Sequence, residues 1–149
     1  MKKIDDYRKL LGVEKKAELK ELKTVYRGFM KEWHPDKFQD SHDQKEEAEI
    51  KSKQFIEAYH FLVSIAPETV ADLLPGYTET ITAETIVDFQ YKSQTLQVDF
   101  SDGSSYEYYD VPRTLYTKFI NADTQNRFAR RHIFTSFVYR NVSKAGVEV

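Results

Sequence analysis

Along the first 66 residues apolar side chains recur three or four positions apart among strong helix formers, the spacing of helices with one buried face. Tyr7, Leu10 and Leu11 predict a short first helix, which Gly12 can end in the left-handed conformation. A longer helix is expected from about Lys16 to Trp33, with Leu19, Leu22, Tyr26, Phe29, Met30 and Trp33 as its apolar set. A third is expected from about Gln44 to Ile65, built on Phe55, Ala58, Tyr59, Leu62 and Ile65. After Ala66-Pro67 the pattern changes, and Leu74-Pro75-Gly76 carries breakers expected of a linker, so a domain boundary is placed here. Alternation then predicts strands: Val87, Phe89 and Tyr91 on one face, Leu96, Val98 and Phe100 in the next run, Tyr106 and Tyr108 in the last. Ser101-Asp102-Gly103-Ser104 reads as a hairpin turn in which Gly103 supplies a positive φ. Val111-Pro112 ends the strands, and helical spacing returns through Leu115, Phe119, Phe128 and Ile133.

With 149 residues the chain has room for one ordinary domain or two small ones, and 40% hydrophobic residues suffice for a packed core. The absence of cysteine excludes disulfides, thiolate metal sites and a thiol nucleophile. No apolar run reaches the roughly 18 residues of a membrane span, and Met1-Lys2-Lys3-Ile4-Asp5-Asp6 lacks the apolar stretch of a signal peptide, so a cytoplasmic protein away from membranes is expected. The net charge of -2 conceals a segregation. Residues 79–110 carry Glu79, Glu84, Asp88, Asp99, Asp102, Glu107 and Asp110 against Lys92, while residues 113–144 carry Arg113, Lys118, Arg127, Arg130, Arg131, Arg140 and Lys144 against Asp123.

The second helix also sorts its charges. On a wheel at 100° per residue, Lys16, Lys20, Lys23, Arg27 and Lys31 fall within an arc of roughly 80°, apart from Glu18, Glu21 and Glu32 and from the apolar set. Pairing for helix stability would mix signs at i and i+4; a like-charged stripe repels itself and is better explained by an acidic partner. The stripe leads into Trp33-His34-Pro35-Asp36, where Pro35 biases His34 out of helical geometry and forces a loop.

A short helix, a long basic helix, a His-Pro-Asp loop and a third antiparallel helix resemble the J-domain (DnaJ-like) family. The residues that carry the resemblance are Tyr7-Arg8-Lys9-Leu10-Leu11-Gly12-Val13, Leu22, Tyr26, Arg27, His34-Pro35-Asp36-Lys37, Phe55, Glu57-Ala58-Tyr59 and Leu62. The resemblance implies an Hsp70-type chaperone as partner. His34, Pro35 and Asp36 would trigger its ATP hydrolysis, while Lys20, Lys23, Arg27 and Lys31, with Tyr26 beside them, would contact its acidic surface. Departures from the family pattern are Gly28 and Glu32 in the second helix and Ser52, which stands where the third helix commonly buries a Phe.

No glycine/phenylalanine-rich segment or zinc-binding cysteine set follows, so specificity is expected from another kind of C-terminal domain. Residues from about Glu84 to Asn141 resemble the KTSC family through Leu96, Val98, Phe100, Asp102-Gly103, Tyr106-Glu107-Tyr108, Val111-Pro112, Tyr116, Ala122 and Ile133, departing from it at Asp123-Thr124-Gln125. The expected class is therefore α+β: an antiparallel helical J-domain over 1–66, a linker over 67–83, a KTSC-like antiparallel β-meander followed by helices over 84–142, and a tail over 143–149. The C-terminal domain would recruit a client or a location. The alternative is an RNA- or ribosome-binding role in which Tyr106 and Tyr108 stack on bases while Arg127, Arg130 and Arg131 neutralise phosphates. Against it stands the reading of both tyrosines as sheet core and of the arginines as partners of the acidic segment. No nucleophile motif or phosphate-cradling glycine loop is present, and Asp40-Ser41-His42-Asp43 has metal-ligand types only in a variable loop; no enzyme, cofactor or metal is expected.

Overall fold

The computed structural model describes residues 2–143, so Lys144 and the tail after Ser143 lie outside the described residues. The chain forms two units, 1–71 and 72–149.

The first unit holds α1 (Lys2–Leu11), α2 (Leu19–Trp33), a 3-10 turn (Pro35–Phe38), α3 (His42–Ser64) and the opening of α4 (Pro67–Ala83). Gly12, at φ 68°, ends α1 as expected: its N–H donates to Lys9 O at 3.2 Å and that of Val13 to Arg8 O at 3.0 Å, closing a Schellman motif. α2 and α3 run antiparallel, since Tyr26 stacks on Tyr59, Phe29 on Phe55, and Trp33 meets Ser52. Ile4, Tyr7 and Leu11 of α1 are buried along with Leu22, Phe55, Ala58, Phe61 and Leu62. α2 begins at Leu19, the first residue of its apolar set and three residues after the expected start at Lys16. Its N-terminal end, where free N–H groups concentrate positive charge, is met by the Glu68 carboxylate, which accepts from Leu19 N–H at 2.6 Å. Lys16 therefore precedes the helix instead of belonging to the stripe.

Residues 67–83, expected as a linker, are helical. Pro75 within a helix costs about 3 kcal/mol and removes the bond to the carbonyl four residues back, that of Ala71, the last residue of the first unit. Burial of Tyr77 and Ile81, at about 1.5–3 kcal/mol each, offsets that cost. The Tyr77 hydroxyl also donates to Phe134 O at 2.6 Å and lies 2.9 Å from that of Tyr108.

The second unit is a four-stranded antiparallel sheet in the order β1 (Ile86–Lys92), β2 (Thr95–Phe100), β3 (Ser105–Tyr108), β4 (Tyr139–Asn141), with α5 (Arg113–Ile120) and α6 (Gln125–His132) inserted before β4. Leu96, Val98, Phe100, Tyr106 and Tyr108 form one core cluster with Tyr77, Ile81, Phe119, Ala129, Ile133 and Phe134. The other residues of β2 and β3 are polar, as a period of two requires. One strand expectation changes. A bulge between Ile86 and Asp88 breaks the alternation, so Val87 is exposed and Ile86 joins Phe89 and Tyr91 against the core. The β1–β2 turn is made by Ser93 and Gln94, both with positive φ (51° and 63°). The Asp102-Gly103 hairpin forms as expected. There burial raises the Asp102 carboxyl, but donation from Ser104 Oγ, Ser104 N–H and Thr80 Oγ1 outweighs it and holds the group below its ordinary pKa. Among the described residues no helix is long and apolar enough to cross a membrane.

Candidate functional site

Lys20, Lys23, Arg27 and Lys31 all lie exposed on α2. Among the described residues none of the four is in an ion pair, so their field is uncompensated at close range. Tyr26 is half-buried, its ring stacked on Tyr59 at 4.1 Å, which makes it part of the α2–α3 seam with one edge at the surface.

The helix stops at His34, whose φ of -60° and ψ of 130° are the extended geometry imposed by the following proline. His34 is also the cap of the 3-10 turn: its Nδ1 accepts from Asp36 N–H at 3.2 Å, and its carbonyl accepts from Lys37 N–H at 3.0 Å. An accepting Nδ1 in the neutral ring leaves Nε2 carrying the proton, free to donate outward. The Asp36 carboxylate stands 3.6 Å from Nδ1, and both side chains are at least half exposed, at 51% and 78%. The loop thus offers a donor, a rigid proline and a carboxylate on a compact turn at the end of the cationic helix.

The site has a support on α3 that the apolar pattern does not announce. Buried Ser52 donates from Oγ to Trp33 O at 2.9 Å. The ammonium of Lys51 sits 3.7 Å from the Trp33 ring centroid, and Phe38 faces the same ring at 6.1 Å.

In the second unit Tyr106 and Tyr108 are buried among Tyr77, Phe100, Phe134 and Tyr139, so neither offers a ring face to a base. Burial pushes the Tyr77 and Tyr108 phenols up, Tyr108 well above its ordinary value, so both stay neutral donors of the core. Arg127, Arg130 and Arg131 are exposed on α6. They do not pair with the acidic segment as expected: among the described residues none is in an ion pair, and Arg130 Nε donates to the backbone carbonyl of Ile81 at 2.7 Å. Complementarity between the segments is instead seen where Glu107 and Arg140 stand opposite each other across β3 and β4.

Comparison with known proteins agrees with this division. The DnaJ domain family matches residues 6–67 and the KTSC domain family residues 84–137. Over 67 residues the chain is 40% identical to DnaJ homolog subfamily B member 6 of Bos taurus, covering 45% of this chain and 26% of that protein. It is 39% identical to DnaJ homolog subfamily B member 7 of Mus musculus over 67 residues, 45% of this chain and 20% of the relative. It is 45% identical over 58 residues to Chaperone protein DnaJ of Mesomycoplasma hyopneumoniae, 38% of this chain and 16% of the relative. The chain thus spans about a quarter or less of the length of these relatives. The KTSC match leaves out Tyr77 and Ile81, which complete the core, and β4, which completes the sheet. Residues 6–67 are a DnaJ domain and residues 84–137 a KTSC domain, joined in one polypeptide.

Proposed function

We propose that this chain is a cytoplasmic co-chaperone whose DnaJ domain stimulates ATP hydrolysis by an Hsp70-type chaperone, while the KTSC domain recruits a client or a location. The observation that carries this reading is the exposed His34-Pro35-Asp36 turn at the end of a helix face whose cations are unpaired among the described residues. Lys20, Lys23, Arg27 and Lys31 draw in an acidic surface of the chaperone over the roughly 8 Å that physiological salt leaves unscreened. His34, Pro35 and Asp36 then bind the hydrolysing conformation better than the resting one, and that difference in affinity shifts the population. The chain performs no chemistry itself; the hydrolytic site belongs to its partner. Single-turnover hydrolysis by the Hsp70-type chaperone of the same organism tests this: the full chain accelerates it and His34→Gln does not.

A second reading, RNA or ribosome binding by the C-terminal unit, now rests on Arg127, Arg130 and Arg131 alone, since the stacking tyrosines are buried. Its test is RNA affinity that falls with salt and with Arg127→Ala plus Arg131→Ala.

A further inference from the structure

A trigger loop works only if the chain holds it in a fixed relation to the helix that delivers it, and α2 ends with carbonyls in need of partners. The Met30 carbonyl accepts from His34 N–H at 3.0 Å. The Lys31 carbonyl loses its helical donor because Pro35 has no N–H. The Trp33 carbonyl would look to Lys37 N–H, but that group is committed to His34 O at 3.0 Å by the 3-10 turn. What Trp33 receives comes from across the helix pair, the Ser52 hydroxyl at 2.9 Å. The ring of the same residue is contacted by the Lys51 ammonium and by Phe38.

From this we infer that Ser52 is a positioning residue for His34-Pro35-Asp36. Its hydroxyl fixes the peptide plane between Trp33 and His34 and so sets where the imidazole points. The inference rests on the proposed Hsp70 reading for its consequence, though not for its geometry. A phenylalanine at this site would fill the core but offer no donor, whereas a threonine keeps the hydroxyl.

The test uses the full chain with the Hsp70-type chaperone of the same organism, comparing wild type, Ser52→Ala and Ser52→Thr in single-turnover hydrolysis over a range of co-chaperone concentrations. Loss of one hydrogen bond lowers the maximal stimulation of Ser52→Ala about fivefold. The half-saturating concentration, set by the intact stripe, stays within about twofold, and Ser52→Thr recovers most of the maximum. In the free chain, the backbone amide signals of His34 and Asp36 move in Ser52→Ala and return in Ser52→Thr, with helical circular dichroism unchanged. Amide signals that do not move overturn the positioning role whatever the ATPase shows. So does a wild-type maximum for Ser52→Ala, or an equal loss in Ser52→Thr. Absence of stimulation by the wild-type chain, with the amide shifts present, rejects the Hsp70 reading and leaves the loop geometry standing.

Discussion

In the DnaJ domain like charges stand side by side on α2, unpaired among the described residues; in the KTSC unit Glu107 and Arg140 face each other across neighbouring strands. The aromatic residues differ in the same sense. Tyr26 and Tyr59 form a half-buried stack at a helix seam, whereas Tyr77, Tyr106 and Tyr108 are sealed in a core, with Tyr77 and Tyr108 sharing a hydroxyl contact. A helix that keeps four cations on one face gives up pairing energy, so the arrangement belongs to what the helix meets. A sheet that sets Glu107 against Arg140 across neighbouring strands uses the same residue types for cross-strand stability.

The largest effect expected is on the closed core. Tyr77→Ala should destabilise the C-terminal unit by about 3–5 kcal/mol, measured by denaturant unfolding, because it removes a fully buried aromatic ring. An effect near zero would show that α4 is not part of that core. Alkaline titration probes the same cluster. The Tyr77, Tyr108 and Tyr109 phenols are raised in the folded state above their ordinary 10.0, chiefly by burial, so their contribution to stability is complete below about pH 10 and is lost as the pH rises through the folded values. Stability should therefore fall from about pH 10 upward, with tyrosinate absorbance appearing together with unfolding. Tyr77→Phe, which leaves the Phe134 carbonyl without its donor, should cost about 1–3 kcal/mol. The smallest effect belongs to the exposed helix. Gly28 lies mid-helix with open space where a Cβ would go, so Gly28→Ala should stabilise the DnaJ domain by about 1 kcal/mol and raise its Tm by about 4–8 °C, leaving the stripe untouched.

The same contrast governs how much of the fold and of the site is legible in the sequence. The stripe and the His34-Pro35-Asp36 turn were legible because both are local: one follows from helical period, the other from the restriction that Pro35 places on His34. Tyr106 and Tyr108 stayed ambiguous because alternation tells that two side chains share a face but not which face is covered; the partner that decides it, Tyr77, lies 31 residues before Tyr108. α4 was hidden by Pro75-Gly76, local signals that burial of Tyr77 overrides. β4 spans only Tyr139–Asn141, too short for a period. The bulge beside Val87 shifts parity without any glycine to announce it. Ser52 was visible as an oddity, yet its role depends on a backbone carbonyl 19 residues away, which no side-chain pattern encodes.

The most direct measurement is single-turnover ATP hydrolysis by the Hsp70-type chaperone of the same organism, titrated with wild-type chain, His34→Gln and the double variant Lys23→Glu plus Arg27→Glu. Wild type should accelerate hydrolysis, His34→Gln should lose the acceleration at every concentration, and the charge reversal should raise the half-saturating concentration about tenfold or more, by an amount that shrinks with salt. Acceleration by His34→Gln equal to wild type would contradict the role assigned to the tripeptide.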